Sequence, residues 1–133
     1  MTLGFIFAQH NSHKVCAGDV GNAILYGKTN EKVYIIAGPG FGVHEGKRII
    51  AHWALYGLKH SAARCHKHIF ATSCKMGFHL SKSDPDLWFW KVGDHYEYLA
   101  CYVDDVIVFA TDPIAIMKKL EKHYVMKGVG KPQ

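Results

Sequence analysis

Two adjacent carboxylates, Asp104 and Asp105, interrupt a stretch that otherwise reads as buried strand, Tyr98-Leu99-Ala100-Cys101-Tyr102-Val103-Asp104-Asp105-Val106-Ile107-Val108-Phe109-Ala110. Side chains about 4 Å apart repel by about 4 kcal/mol at an effective dielectric near 20, and each carboxylate resists desolvation. Read locally, the pair is either the polar tip of a hairpin or half of a divalent-cation site. Hard oxygen ligands at a strand end suit Mg²⁺, which binds through one or two carboxylates together with substrate phosphates. A third acid from another strand would strengthen the metal reading. Asp19 is the candidate, because it follows a possible strand and precedes Val20-Gly21-Asn22-Ala23-Ile24-Leu25-Tyr26-Gly27, which holds no other acid. Taken alone, Asp19 also fits a plain turn or cap.

The elements that must position these residues follow from periodicity and turn chemistry. Residues 14–20 and 32–37 read as strands, and Gly38-Pro39-Gly40-Phe41-Gly42 as a loop that defeats both helix and ladder. Ser61 is placed to cap a helix running to Met76, with Ala62, Cys65, Ile69 and Met76 on one side and Gly77 ending it. Residues 86–92 and 96–102 are aromatic-rich strands joined at Gly93-Asp94, followed by a strand over 106–110. Asp112-Pro113 starts a second helix, capped by Asp112, with Ile114, Met117, Leu120 and Tyr124 as its core stripe. Apolar residues on both pleat faces put the strands around Asp104 in the middle of a sheet. The fold class expected is α+β, a mostly antiparallel sheet backed by two main helices.

The chain of 133 residues makes one domain or a fragment of one, and 49% hydrophobic residues exclude a disordered chain. No apolar run approaches the roughly 20 residues of a membrane span, and the apolar start lacks a signal peptide's basic end. An intracellular protein with no membrane partner is expected. The excess of 16 Lys and Arg over 11 Asp and Glu is compatible with nucleic acid, or simply with a basic surface. Cys16, Cys65, Cys74 and Cys101 form no C-x-x-C pair and read as buried free thiols. Ten histidines raise a metal-binding alternative through His10-x-x-His13 and Cys65-His66-Lys67-His68, but no second pair completes a zinc site. Gly40 and Gly46-Lys47 are one residue too far apart for a phosphate loop, and Arg48 stands where that motif needs Ser or Thr. Lys47 and Arg48 remain candidate phosphate contacts beside the reading of a solvated turn.

Together, Asp19-Val20-x-x-Ala23-x-Leu25-x-Gly27, Leu55-Tyr56-Gly57-Leu58-Lys59-x-Ser61, Tyr102-Val103-Asp104-Asp105 and the closing Met126-Lys127-x-x-Gly130 resemble copia-type LTR-retrotransposon reverse transcriptases, in order and rough spacing. The likeness covers residues 14–132. It implies one polymerase palm domain over 1–133, lacking most of the fingers and all of the thumb. It further implies an RNA-directed DNA polymerase using two Mg²⁺ ions, with Mn²⁺ as a substitute. Asp19, Asp104 and Asp105 would be catalytic, and together with Val20 would surround the metals. Gly21, Asn22, Ala23, Ile24, Tyr56, Gly57 and Lys59 would hold the nucleotide, while Tyr102 and Val103 would approach the primer end. Implied partners are an RNA or DNA template with a DNA primer, dNTPs, and the fingers, thumb, RNase H and integrase of a Pol polyprotein. The implied location is a cytoplasmic retrotransposon particle. Two departures stand out: Ile24 replaces an aromatic ring implied to exclude a ribose 2′-hydroxyl, and Lys59-His60-Ser61-Ala62 replaces Lys-Gln-Ser-Pro. These departures open the alternative of a decayed, inactive palm-like fragment with at most weak nucleic-acid binding.

Overall fold

A computed structural model describes residues 6, 9–56 and 60–131, leaving aside the side chain of Asn30. Among the described residues from Lys14 on, eight strands and two α-helices follow in the order β1 (Lys14–Val20), β2 (Lys28–Ile36), β3 (Arg48–Trp53), α1 (Ser61–Lys75), β4 (His79–Leu80), β5 (Leu87–Val92), β6 (His95–Tyr102), β7 (Asp105–Ala110), α2 (Pro113–Glu121) and β8 (Met126–Gly130). Single 3₁₀ segments occupy Ala23–Tyr26 and Pro39–His44. Six strands form one sheet in the order β4-β5-β6-β7-β1-β8, and β2 and β3 form a separate ribbon. Every pairing is antiparallel. The chain is therefore α+β, and β5, β6, β7 and β1 are the interior strands.

Alternation along these strands separates two faces. Cys16, Val20, Leu99, Cys101, Val106 and Val108 turn to one side and pack with Cys65 and Ile69 of α1 and Ile116, Met117 and Leu120 of α2. Leu87, Ala100 and Phe109 turn to the other side, with Val15, Tyr98 and Ile107 against them and no helix residue in the cluster. Burial of both faces explains why β6 and β7 read as near-continuous apolar runs. The two helices lie on one side, and the other carries Asp19 and Asp105 at its end.

Turn chemistry sets the connections. Gly93 has φ 60 in the two-residue link between β5 and β6, which closes on the Val92–His95 pair. Gly77, at φ 91, ends α1, its N–H donating to the Cys74 carbonyl and that of Phe78 to Ser73. The Asp112 side chain accepts from the Ala115 N–H at 3.2 Å, capping α2 with Pro113 in its first turn.

Other expectations are corrected. Ser61 is the first residue of α1 and not its cap; its hydroxyl instead donates to the Leu55 carbonyl at 2.6 Å. Ala62 is exposed, and the buried side of α1 is Ser61, Cys65, Ile69, Thr72 and Ser73. Thr72 is tolerated there because its hydroxyl accepts from Tyr124 at 2.7 Å. In α2, Ile114 is exposed and Ile116 takes the core position, while Tyr124 is buried beyond the helix end. Loop 38–42 is partly a 3₁₀ segment, since Pro39 pre-sets its first turn and Gly42 at φ 54 breaks it. Strand β3 escapes the sequence reading because most of its residues are exposed, so no alternation marks it.

Candidate metal centre

The cluster is built from strand register. Asp19, the penultimate residue of β1, lies opposite Asp105, the first residue of β7, so their side chains share a face. Asp104 sits in the tight turn from β6 to β7, which closes on the Tyr102–Asp105 pair. That turn is tied to β1 by a 2.7 Å hydrogen bond from the Val20 N–H to the Asp104 carbonyl. One carboxylate oxygen from each of Asp19, Asp104 and Asp105 lies within 4.8 Å of the others; Asp19 and Asp104 are half-buried and Asp105 is exposed.

Three like charges at this spacing repel by about 3 kcal/mol per pair at an effective dielectric near 20, less where water screens Asp105. Among the described residues, no Lys or Arg forms an ion pair with them. Charge density without a local partner, in a set of hard oxygens, is what a divalent cation relieves, and the donor set fits Mg²⁺. Among the described residues this is also the one group of three or more His, Cys, Asp or Glu able to surround an ion. The residues of the Cys65-to-His68 run diverge. Cys65 approaches the Val103 carbonyl, His66 the Pro85 carbonyl and Asp86, and His68 the Tyr124 hydroxyl. That divergence argues against a zinc module there.

Beneath the cluster, the turn rests on two thiols. Cys65 of α1 and Cys101 of β6 both point at the Val103 carbonyl, at 3.7 and 4.0 Å. Burial, with Asp104 adding to it, pushes the Cys65 thiol up to about 11. Burial pushes Cys101 up to about 12, with Cys65, Asp86, Asp104 and Asp105 adding to it. Both remain protonated at neutral pH and act as weak donors to the turn rather than as metal ligands. Val103 itself takes φ 58, a left-handed conformation costly for a β-branched residue.

The remaining expected site residues fall in different environments. Val20 is buried, so it has only its main chain to offer. The buried Gly21 donates its N–H to the Val125 carbonyl at 2.7 Å. Asn22 adopts φ 55 and leads into the 3₁₀ turn, where Ala23 is buried and Ile24 packs against the core. Tyr102 is 60% exposed and Val103 37% exposed beside the carboxylates. Tyr56 is 60% exposed, while Gly57 and Lys59 lie outside the described residues. Lys127 received no role from its sequence context. It pairs with Asp19 across β1 and β8, and its side chain crosses Gly21, where an added Cβ would meet Lys127 Cε at 2.9 Å. Only the pairing of β8 with β1 reveals that position.

Residues 1–132 match the family described as reverse transcriptase (RNA-dependent DNA polymerase). The chain belongs to that family. A transposon Ty5-1 protein of Saccharomyces cerevisiae is 32% identical over 118 residues, covering 85% of this chain and 38% of that protein. Retrovirus-related Pol polyproteins from transposons RE1 and RE2 of Arabidopsis thaliana are 30% and 29% identical over 105 residues, each match covering 77% of this chain and 7% of the polyprotein. The likeness to copia-type LTR-retrotransposon reverse transcriptases is thus carried by family and relatives alike. The chain spans well under half the length of these relatives. Among its described residues no helix is long and apolar enough to cross a membrane.

Proposed function

We propose that the chain is the palm of an RNA-directed DNA polymerase, in which Asp19 and Asp104 are the principal Mg²⁺ ligands and Asp105 supports them. The convergence of three carboxylates from two strands and one turn, within 4.8 Å, supports this reading more than any other observation. Two bound ions would supply activation of a primer 3′-hydroxyl and neutralisation of the triphosphate and leaving group. The protein's own part is to hold the carboxylates rigidly, through the β1–β7 register and the Val20-to-Asp104 bond. Because Val20 and Gly21 already donate their N–H groups within the fold, phosphate contact falls to the amides of Asn22, Ala23 and Ile24. The Lys127 ammonium, across Gly21, adds positive charge. Ile24 lies beneath the sugar, Tyr56, Gly57 and Lys59 line the nucleotide or template side, and Tyr102 and Val103 meet the primer end. The wider assembly is a Pol polyprotein acting on template–primer and dNTPs inside a cytoplasmic retrotransposon particle.

Mn²⁺ titration of the labelled chain by NMR tests the site. Signals near Asp19 and Asp104 should broaden together, and the effect should vanish in Asp104→Asn. A folded spectrum without joint broadening would overturn the metal assignment. A second reading, a palm that no longer turns over, is favoured by Ile24 and by His60 and Ala62 standing where the family has other residues. Joint broadening without nucleotide incorporation, when fingers and thumb are supplied, would select it.

A further inference from the structure

A cleft that shares no residue with the aspartate cluster opens between the start of β2, the end of β3 and one flank of α1. Its cationic part encloses about 330 Å³ and is lined by Tyr26, Lys28, Trp53, Arg64, Lys67 and His68. It continues into an apolar part of about 490 Å³, where Leu25 and Leu55 join the shared Tyr26, Trp53 and His68. Gly27, which also lines the cationic part, passes close to α1: a Cβ there would stand 2.9 Å from Arg64 Cβ. The β2–β3 register then sets Lys28 opposite Trp53, with the ammonium 5.7 Å from the ring centroid. Arg64 and Lys67, three residues apart on the helix, face the same opening. Among the described residues no acidic residue lines either part, and none of the three cations is in an ion pair. Trp53 remains 49% exposed.

We infer that this cleft binds a segment of single-stranded nucleic acid, a base stacking on Trp53 while its flanking phosphates engage Lys28, Arg64 and Lys67. Flat aromatic surface next to unpaired cations is what single-strand binding uses, since every base has a π-face and every linkage a charge. An indole alone would suit many apolar partners, and three cations alone would suit any anion. Their union on one opening selects a ligand that alternates flat apolar faces with negative charge. Preferring nucleic acid to an acidic polypeptide rests on the polymerase reading, but the site needs neither metal nor turnover.

The test uses the 133-residue chain in EDTA with a fluorescein-labelled oligothymidylate, read by anisotropy and by quenching of tryptophan emission. Trp53→Ala and the pair Arg64→Glu with Lys67→Glu should each weaken binding roughly tenfold or more. Trp53→Phe should recover most of the loss, and Trp53→Ala should abolish the quenching. Binding that persists in EDTA separates this cleft from the metal centre. Lys118→Glu with Lys122→Glu, exposed on α2 and at its C-cap, matches the charge change elsewhere. Equal loss in that control pair would mean diffuse charge attraction and overturn the inference. Absence of binding would overturn it too, as would poly-glutamate binding equally tightly with the same dependence on Trp53. In each of these cases, joint Mn²⁺ broadening at Asp19 and Asp104 would leave the polymerase reading standing.

Discussion

At the scale of single residues, the protein sets two buried thiols beneath the turn that carries its acidic groups and holds those thiols protonated. Burial raises the ionisation of Cys65 to about 11 and of Cys101 to about 12, from a usual value of 9.0. The unfolded chain therefore loses these protons first, so the stability linked to them is complete below about pH 9 and declines as pH rises toward 11 to 12. The thermal midpoint should fall steeply above pH 9, and Cys101→Ala should flatten that fall while lowering stability at neutral pH. A midpoint independent of pH up to 11 would contradict this account. Ile24 yields a separate test. Replacing it with Tyr should raise the preference for dNTPs over rNTPs by roughly tenfold, measured as a ratio of kcat/KM on template–primer, if the side chain faces the sugar as proposed. An unchanged ratio would remove Ile24 from the nucleotide site.

At the scale of elements, main-chain proximity does much of the positioning. Gly27 lies against the α1 backbone, where an added Cβ would meet Arg64 Cβ at 2.9 Å, the Arg64 carbonyl carbon at 3.0 Å and the Cys65 nitrogen at 3.1 Å. Those are rigid neighbours, so Gly27→Ala should cost about 1–3 kcal/mol through forced backbone movement. Gly38→Ala, with open space around its Cβ position, should be near neutral. Chemical denaturation of the pair measures the contrast, and equal midpoints would refute it. Met117→Ala, fully buried in α2 against the sheet, should cost about 2–5 kcal/mol by the same measurement. The β5–β6 hairpin and the Asp112-Pro113 helix start were legible in the sequence because each carries specific turn chemistry, and β1 coincides with the strand read over residues 14–20. Strand β3 and the buried side of α1 were not. The former exposes residues on both faces, and the latter buries polar Ser61, Thr72 and Ser73, with Ser61 partnered by Leu55 ahead of the helix and Thr72 by Tyr124 far along the chain. The carboxylate cluster was half legible: the Asp104-Asp105 oddity is local, but the meeting with Asp19 is a matter of register between strands more than eighty residues apart in sequence. The place of Lys127 opposite Asp19 and the cleft at Trp53 needed the fold, because strand pairing and packing set them.

At the scale of the whole molecule, two units of unequal solidity share one chain. The six-stranded sheet has both faces occupied by core clusters, whereas the β2–β3 ribbon exposes Tyr34, Ile36, Ile50 and Trp53. Few buried apolar contacts mean a low cost of local opening. Amide protons of Val33 to Ile36 should exchange with solvent well before those of Leu99 to Cys101 and Val106 to Val108, by about a hundredfold or more in protection. Comparable protection in ribbon and sheet would show that they open as one unit. Since Lys28 and Trp53 sit on the ribbon and Arg64 and Lys67 on the helix, oligonucleotide should raise protection in the ribbon selectively.

The place of β1 between β7 and β8 carries a consequence for how the protein is made. Asp19 is synthesised before both neighbours of its strand, one of which follows only at residues 105–110 and the other only at 126–130. Throughout that interval β1 offers bare hydrogen-bonding edges that any extended peptide can occupy. A message truncated within α2 would deliver all three aspartates and still leave one edge of β1 unpaired. Such a product would be prone to self-association rather than merely inactive, and would be recovered in the insoluble fraction.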